Sequence, residues 1–406
     1  MRTRATVGAR GLLSAAVLAI GGVALAWVCV RTTAIKALPD DSSALLRLAP
    51  HDPAVVLETA ADALVTRHGI LPPAMLAAVR HAALAAPLDA RAFLILGHQQ
   101  WLDGHPDRAV VTLEAGQRLD PRLRLIHLLL LDRYLRSGRY ADAAAQFSVL
   151  ARLGGNAQGA IVRAMAAMSL DPQTRDAVRA TLRSDPMLER GVLTAMAKGD
   201  VAPATIFTLA SPAAQADAAN PESWGPVLVS RLVEQQRYAP ARAVWQRIYR
   251  LSDAQAAAPV FDAGFARTVA APPFAWTLTA NSLGAADIRN NALAIDYYGR
   301  DSGDLASQLL VLAPGRYRFA VTVDPGKTDN AARLFWSLTC ATGKASLMNL
   351  RITAGATKRR IAADATVPAG CPAQLLTLRG EAGEFPAPIS VTVRDLDLRP
   401  VAGARP

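Results

Sequence analysis

The three cysteines are the residues of this chain best suited to covalent chemistry. Cys29 falls in an apolar run near the amino terminus, whereas Cys340 ends the stretch RLFWSLTC and Cys371 lies in VPAGCPAQLLTL. Strand alternation places Cys340 on the same face as Trp336. A thiol in that position fits a buried core, a metal ligand, a nucleophile or one half of a disulfide.

Two of these four roles lack the partners that they need. The last histidine of the chain is His127, so neither Cys340 nor Cys371 has a histidine nearby in sequence to complete a zinc site or to act as a base. A disulfide between the two cysteines is therefore favoured, and two unbonded core cysteines are the alternative. A bridge closing a loop of about 30 residues contributes roughly 3–4 kcal/mol of stability and requires an oxidising compartment.

Other motifs of catalysis fail when their spacing is checked. PGKTD and TGKAS imitate a phosphate-binding loop, but Val321 and Leu338 stand where the first glycine is required. The sequence contains no H-E-x-x-H, G-x-S-x-G or calcium-loop spacing. We therefore expect no enzyme, no cofactor and no metal, with an unrecognised active site as the alternative. No nucleic-acid-binding module is present either.

IDYYGRD is the segment best suited to bind a sugar. Sugar sites combine an aromatic stacking surface with carboxylates and arginines that form directional hydrogen bonds, and Asp296, Tyr297, Tyr298 and Arg300 supply these groups. Adjacent tyrosines in a strand point to opposite faces, so at most one of them is core and the other is exposed. A domain that only packs against its neighbours is the alternative.

Length and composition limit the class of protein. The 406 residues suit two or three domains, and the 51% hydrophobic content with only 5% aromatics suits helices packed through small residues. The net charge of +11 arises mainly from arginines scattered along the chain, and the densest run is Lys358–Arg360. This distribution is typical of solvated faces and does not form a nucleic-acid-binding patch.

The amino terminus predicts membrane attachment. Residues 11–30, GLLSAAVLAIGGVALAWVCV, form an uncharged run long enough to cross a bilayer as a helix, with Trp27 near its far end. The arginines within residues 1–10 predict a cytoplasmic stub, so the bulk of the chain would be periplasmic on an inner-membrane anchor. A cleaved signal peptide is the alternative, since residues 24–26 read Ala-Leu-Ala.

Residues 40–260 read as helices separated by short turns, and the first half shows a period. Pro53, Pro87 and Pro121 recur every 34 residues. This spacing resembles the tetratricopeptide repeat, a helical hairpin with small and large residues at fixed positions. The matching residues are Phe93, Leu96, Gly97 and Ala109, then Leu130, Tyr134, Ala143 and Phe147, then Ala241 and Trp245. Between 158 and 220 the period is lost, and an ordinary helical bundle is the alternative.

The resemblance implies a concave groove that is lined by the first helix of each hairpin and holds a protein partner. By the phase of the family, Arg91, His98, Trp101 and Asp132 point towards it. Trp101 fits equally well as a packing residue between helices.

Residues 262–400 change to strand patterns. Nine short alternating runs separated by turns predict an antiparallel β-sandwich, which places Trp276 and Trp336 in its core. In RYRFAVTV the residues Tyr317, Phe319, Val321 and Val323 share the buried face, while Arg316, Arg318 and Thr322 share the wet one. The last strand changes parity, which predicts a bulge near Arg394-Asp395.

PPFAWTLT, LLVLAPGRYRFAV and the pair FWSLTC and VPAGCPAQ resemble segments of jelly-roll domains of the carbohydrate-binding-module type. The whole arrangement of span, helical repeats and sandwich resembles membrane-anchored proteobacterial proteins of envelope-glycan systems. The resemblance implies a periplasmic scaffold that binds an envelope or polysaccharide-assembly protein. The alternative is a glycan-binding module presented on a helical spacer.

Overall fold

The computed structural model consists of two compact units, Met1–Leu188 and Glu189–Pro406. It describes residues 26, 27, 29, 33, 46, 49–154, 158–324, 333–352, 357–383 and 388–401. The predicted stub 1–10 and nearly all of the predicted span 11–30 lie outside these residues. Within the described part of the chain, no helix combines the length and apolar character needed to cross a bilayer.

The first unit is helical in its described residues. Its helices are α1 (Pro53–Thr66), α2 (Pro73–Ala85), α3 (Ala90–Leu102), α4 (Pro106–Leu119), α5 (Arg124–Arg136), α6 (Tyr140–Arg152), α7 (Gln158–Met168) and α8 (Arg175–Ser184). The carboxylates of Asp52 and Asp89 cap α1 and α3 by accepting from the backbone N–H groups of Ala54 and Arg91. The periodic prolines thus mark where α1, α3 and α5 begin, because Pro53 starts α1 and the other two lie in the turns that lead into α3 and α5.

Small residues allow these helices to pack closely in pairs. A Cβ added at Gly97 of α3 would lie 2.8 Å from Cγ of Leu113 on α4. One added at Gly116 of α4 would lie 2.7 Å from Cβ of Phe93 on α3. Because neither position has room for a side chain, the two helices approach at a distance that only glycine permits. The helices α1, α3 and α5 also contact one another in succession.

The second unit begins within α9 (Pro186–Lys198) and contains both helices and the sandwich. The further helices are α10 (Pro203–Leu209), α11 (Pro212–Ala216), α12 (Trp224–Glu234), α13 (Tyr238–Ile248) and α14 (Asp253–Ala257). On α13 the buried Trp245 donates from Nε1 to the Ala271 carbonyl at 2.8 Å. Its ring lies 5.0 Å from Phe261 and 5.7 Å from Phe274. These contacts attach the last helical hairpin to the chain that leads into the sandwich.

The predicted antiparallel β-sandwich is confirmed. Its strands are β1 (Thr277–Leu278), β2 (Ala280–Asn281), β3 (Gly284–Arg289), β4 (Ala292–Tyr297), β5 (Gly303–Leu310), β6 (Gly315–Asp324), β7 (Arg333–Cys340), β8 (Ser346–Ile352), β9 (Arg359–Val367), β10 (Gln374–Glu381) and β11 (Ile389–Pro400). In the described residues they form a five-stranded sheet, β1-β5-β10-β7-β8, and a six-stranded sheet, β2-β3-β4-β11-β6-β9.

Two features of the six-stranded sheet bear on the sequence prediction: the bulge in β11 was predicted, and the strand β3 was not. The register of β11 against β6 shifts between Arg394 and Asp397, where Asp395 has a φ of 47°, so the predicted bulge is present. The strand β3 was not predicted. It pairs with β4 through a tight turn at Asn290 and Asn291, whose φ angles are 53° and 51°. Asparagine tolerates this left-handed conformation and is typical of such hairpins.

The core lies between the two sheets and contains both tryptophans that the alternation placed there. Trp336 is fully buried, and its ring lies 6.0 Å from that of Trp276 and 5.5 Å from that of Phe319. The alternation in β6 holds for its apolar face, but Thr322 is also buried, with 9% exposure, and does not belong to a wet face. The two faces of this inner strand are therefore less different than the residue types suggest.

The predicted disulfide is confirmed. Cys340 at the end of β7 is bonded to Cys371, which precedes β10, and their Cα atoms lie 5.6 Å apart. The strands β7 and β10 are neighbours, with Cys340 opposite Gln374 in the ladder. Both cysteines are buried in the core. The strand therefore ends in cysteine because the bridge ties it to the start of the adjacent strand.

Candidate functional site

The helices α1, α3 and α5 line an apolar cavity of about 340 Å³ in the first unit, called here the first-helix groove. Its lining residues are Leu64, Val65, His68, Gly69, Leu94, His98, Leu125, Leu128 and Leu129. Val65 is 59% exposed and Leu128 is 42% exposed, although both are apolar. Exposed aliphatic side chains around a concave cavity are typical of a binding surface.

His98 is one of the two histidines that line this groove. Its Nε2 lies 3.0 Å from the Gly69 carbonyl, and its Nδ1 lies 3.2 Å from Nη2 of Arg133. Because a carbonyl only accepts and a guanidinium only donates, Nε2 carries the proton and Nδ1 accepts, which is the neutral imidazole. Burial, together with the charge of Arg133, lowers the pKa of His98.

Arg133, which the sequence analysis did not single out, connects three of the four predicted groove residues. It is 5% exposed, forms an ion pair with Asp132, and lies with its Cζ 4.1 Å from the ring centroid of Trp101. It also donates to His98. Trp101 therefore belongs to the predicted set and is at the same time a packing residue, since it covers a buried guanidinium.

Arg91, the fourth predicted groove residue, is not brought together with these side chains. Its Nε donates to Oδ1 of Asp89 at 2.9 Å, and its guanidinium also forms an ion pair with Glu58 of α1. The hydrogen bonds that the guanidinium donates to Asp89 are the main cause that raises the pKa of Arg91. This arginine therefore links α1 to the start of α3 and is not part of the His98 contacts.

A second cavity of about 580 Å³ lies against Trp101 and Arg133. Its lining residues are Trp101, Pro106, Asp107, Val110, Val111, Glu114, Arg133, Arg136, Ser137 and Arg139. Beside it, the Tyr134 hydroxyl donates to Glu114 at 2.9 Å, and burial raises the pKa of this tyrosine. Acids and bases are mixed along its wall, so the cavity does not select one sign of ligand charge.

The tyrosine pair of the sandwich divides as the alternation predicts. Tyr297 is 1% exposed and donates from its hydroxyl to the Asp301 carbonyl at 2.8 Å, whereas Tyr298 is 42% exposed. Asp296 accepts from the Ser390 hydroxyl at 2.6 Å, and Arg300 is exposed. No other aromatic side chain in the described part of the sandwich is as exposed as Tyr298. The segment therefore offers one aromatic ring and no extended stacking surface.

A different aromatic residue lies on the outer face of the five-stranded sheet. Phe335 of β7 is half-buried between the buried Leu334 and Trp336, so its ring points away from the core. Its direct cross-strand neighbours are Arg379 of β10 and Arg351 of β8. Phe335, Arg351 and Arg379 are called here the Phe335 face. The strand alternation contained this signal, but the sequence does not show which strands are neighbours.

Comparisons with known proteins return weak matches to solved structures. No family model matches the chain, and no curated protein does. The amino-terminal cellulose-binding domain of Cellulomonas fimi β-1,4-glucanase C is 16% identical, with 36% of this chain and all of that chain covered at a TM-score of 0.26. The CBM22-1 xylan-binding domain of Paenibacillus barcinonensis Xyn10C is 12% identical, and the match covers 32% of this chain and 88% of that chain at a TM-score of 0.24.

One further match is to a structure that is not named as a carbohydrate-binding domain. The MamA RS-1 ArsTM double mutant is 16% identical, and the match covers 50% of this chain and 97% of that chain at a TM-score of 0.24. Similarities at these values do not assign a ligand or a partner to this chain. Carbohydrate-binding modules recur among the similar solved structures, and the chain itself carries a two-sheet sandwich.

Proposed function

We propose that this chain is a non-enzymatic adaptor whose first-helix groove binds an apolar segment of a protein partner. The observation that carries the proposal is the groove itself, in which α1, α3 and α5, the first helices of three consecutive hairpins, present leucine and valine side chains around one cavity. Burial of such side chains against a partner is favourable by roughly 25 cal/mol per Å² of apolar surface. The proposal therefore assigns the affinity to aliphatic contacts.

The buried charges beneath the groove support a role in positioning. Arg133 is held by Asp132, His98 and Trp101, although its Nε is buried without a hydrogen-bond partner in the described structure. In this proposal Asp132, Arg133 and Trp101 fix the relative positions of α3 and α5, while His98 both contacts Arg133 and lines the groove that receives the partner. A preformed groove lowers the entropy that binding must overcome.

The cellular setting is part of the proposal and comes from the sequence. We place the chain on an inner-membrane anchor with its bulk in the periplasm, where a tetratricopeptide-type array engages an envelope or polysaccharide-assembly protein. The bonded pair Cys340 and Cys371 is compatible with an oxidising compartment.

Site-specific photocrosslinking of the full chain in its host tests the groove. A benzoylphenylalanine at Val65 reports on the groove, and one at Leu84 of α2, which is 84% exposed and does not line it, is the matched control. We expect an adduct from Val65 alone, which weakens at least tenfold with Leu128→Asp. Equal adducts from both positions would contradict the proposal.

A second candidate function, glycan binding by the sandwich, is favoured by the Phe335 face. An aromatic ring between two arginines supplies both a stacking surface and hydrogen-bond donors suited to an acidic polysaccharide. Arg379 is paired with Asp304 at 3.3 Å, while Arg351 is exposed at the other side of the ring.

Affinity electrophoresis of the full chain in gels containing alginate or dextran separates the alternatives. We expect Phe335→Ala to abolish retardation by alginate and Tyr298→Ala to leave it unchanged. The reverse result would move the site to the segment that contains Asp296, Tyr298 and Arg300. The absence of retardation by either polymer would remove glycan binding as a function.

A further inference from the structure

An internal repeat relates one helical hairpin of the first unit to one of the second. LLDRYLRSGRYADAAAQF (130–147) aligns without gaps with LVSRLVEQQRYAPARAVW (228–245). Both segments contain the end of one helix, a turn with a positive φ at Gly138 or Gln236, and the following helix. The alignment places Arg231 where the first segment has Arg133, so the two hairpins share a buried arginine.

The two arginines have different partners. Arg133 has an ion pair with Asp132 and contacts with His98 and Trp101. Arg231 is 7% exposed, and Nη2 donates to the Val201 carbonyl at 2.8 Å. Its Nε and Nη1 are buried and have no hydrogen-bond partner within the described structure. Nε of Arg133 is also buried without a hydrogen-bond partner, but the carboxylate of Asp132 is paired with its guanidinium. Buried charged donors without an acceptor are strongly unfavourable, and Arg231 has two of them and no carboxylate within ion-pair distance in the described residues.

One substitution in the repeat accounts for the missing group. The residue before the arginine is Asp132 in the first hairpin and Ser230 in the second. A serine hydroxyl cannot neutralise a guanidinium as a carboxylate does. Burial lowers the pKa of Arg231, as does the nearby Arg237, whereas Asp200 raises it. An arginine nevertheless remains a cation at any physiological pH.

Arg231 lines a cavity of about 420 Å³ that is large enough for a small ligand. The other lining residues are Lys198, Pro226, Val227, Ser230 and Glu234. Lys198 is exposed at this cavity, and within the described residues it has no carboxylate within ion-pair distance. The wall thus carries two cations, Lys198 and Arg231, and one carboxylate, Glu234. Arg231 is the most buried of the three and has two N–H donors without an acceptor.

We propose that this cavity binds the carboxylate group of a small ligand, which takes the place that Asp132 occupies beside Arg133. Arg231 and Lys198 bind the anion, and the Ser230 hydroxyl donates to it. Glu234, one helical turn further on, accepts from a hydroxyl or ammonium group of the same ligand. The site is independent of the partner-binding role proposed above, because it lies in the second unit.

A carboxylate of this kind could belong to a sugar acid or to the end of a polypeptide, and calorimetric titration of the full chain distinguishes these sources. The sugar probes are glucuronate and its neutral analogue glucose. The peptide probes are acetyl-glycyl-glycine and its amide. Binding of an acid without binding of its neutral analogue supports the site, and the acid that binds identifies the source. Failure of both acids to bind would overturn the proposal.

A matched pair of substitutions tests the mechanism without removing the arginine. Ser230→Asp recreates the arrangement at Asp132, so it should weaken the binding of the acid at least tenfold and raise the melting temperature. Ser230→Asn has a similar size without the charge and should retain binding within about threefold. Equal affinities of the two variants would overturn the assignment of the anion to Arg231.

Two further variants cover the possibility that a substitution disturbs folding. Lys198→Gln removes an exposed cation of the cavity and should weaken the binding of the acid probe several-fold. Arg237→Gln removes the same charge outside the cavity and should change affinity by less than twofold. If the two variants weaken binding equally, the loss reflects the overall positive potential of the protein and not a contact in this cavity, and the proposed site is refuted.

Discussion

The disulfide between Cys340 and Cys371 predicts a large and local loss of stability on reduction. The two cysteines are separated by 31 residues, and closing a loop of that length removes enough unfolded-state entropy to contribute about 3–4 kcal/mol. Reduction is a cleaner perturbation than substitution, because the buried thiols remain in place and no cavity is created. The most protected amides of β7 and β10 should then exchange several hundred times faster.

Hydrogen exchange followed by mass spectrometry measures this effect separately in each unit of the chain. Peptides from β7 and β10 should accelerate in reductant, while peptides from α3 and α4 in the first unit serve as the internal control. Equal exchange of β7 and β10 in both conditions would show that the bridge adds nothing to the stability of the sandwich. Acceleration of all peptides would show instead that the reductant unfolds the whole chain.

Two further predictions concern the first unit. Gly97→Val places a side chain where Leu113 already stands, so it should lower the free energy of unfolding by about 1–3 kcal/mol in urea titrations. Gly159→Val, where an added Cβ meets only the end of a flexible side chain, should change it by less than 1 kcal/mol, roughly the span of helix propensity. Because burial and Arg133 hold the pKa of His98 below its ordinary value of 6.5, the unfolded chain takes up the proton first. Stability of the unit should therefore fall as pH decreases below about 6.5, and His98→Gln should flatten that dependence; an unchanged slope would assign it to another group.

The sandwich was predictable because its signal is local. In β7 and β11 buried residues alternate with more exposed ones, and this period distinguishes a half-buried strand without knowledge of its neighbours. β3 was missed because GAADIR has small and acidic residues in place of the branched ones that favour strands. Its pairing depends on the turn at Asn290 and Asn291, a signal that the sequence did contain.

The division into units was less accessible to sequence reasoning. The sequence places the change from helix to strand near residue 260, and in the structure the last helix ends at Ala257 and the first strand begins at Thr277, but the compact division falls at Leu188 and Glu189. Trp245 explains the difference, since its contacts with Phe261 and Phe274 attach the last hairpin to the sandwich. Such contacts join residues of different secondary structure, and no periodicity reveals them.

The candidate sites show why charge pairing is difficult to predict from residue types alone. An arginine in a helix is ordinarily solvent-exposed, so Arg133 and Arg231 attract no attention among many arginines. The phase of the repeat pointed to Arg91, His98, Trp101 and Asp132, of which His98 lines the first-helix groove, while Trp101 and Asp132 contact the buried Arg133. Comparison of the two hairpins is more informative than either alone: the same arginine is buried twice, and only one copy brings its own carboxylate. Since a buried cation without a carboxylate at ion-pair distance is costly, a ligand carboxylate beside Arg231 would be favourable, as the binding proposal for this cavity requires.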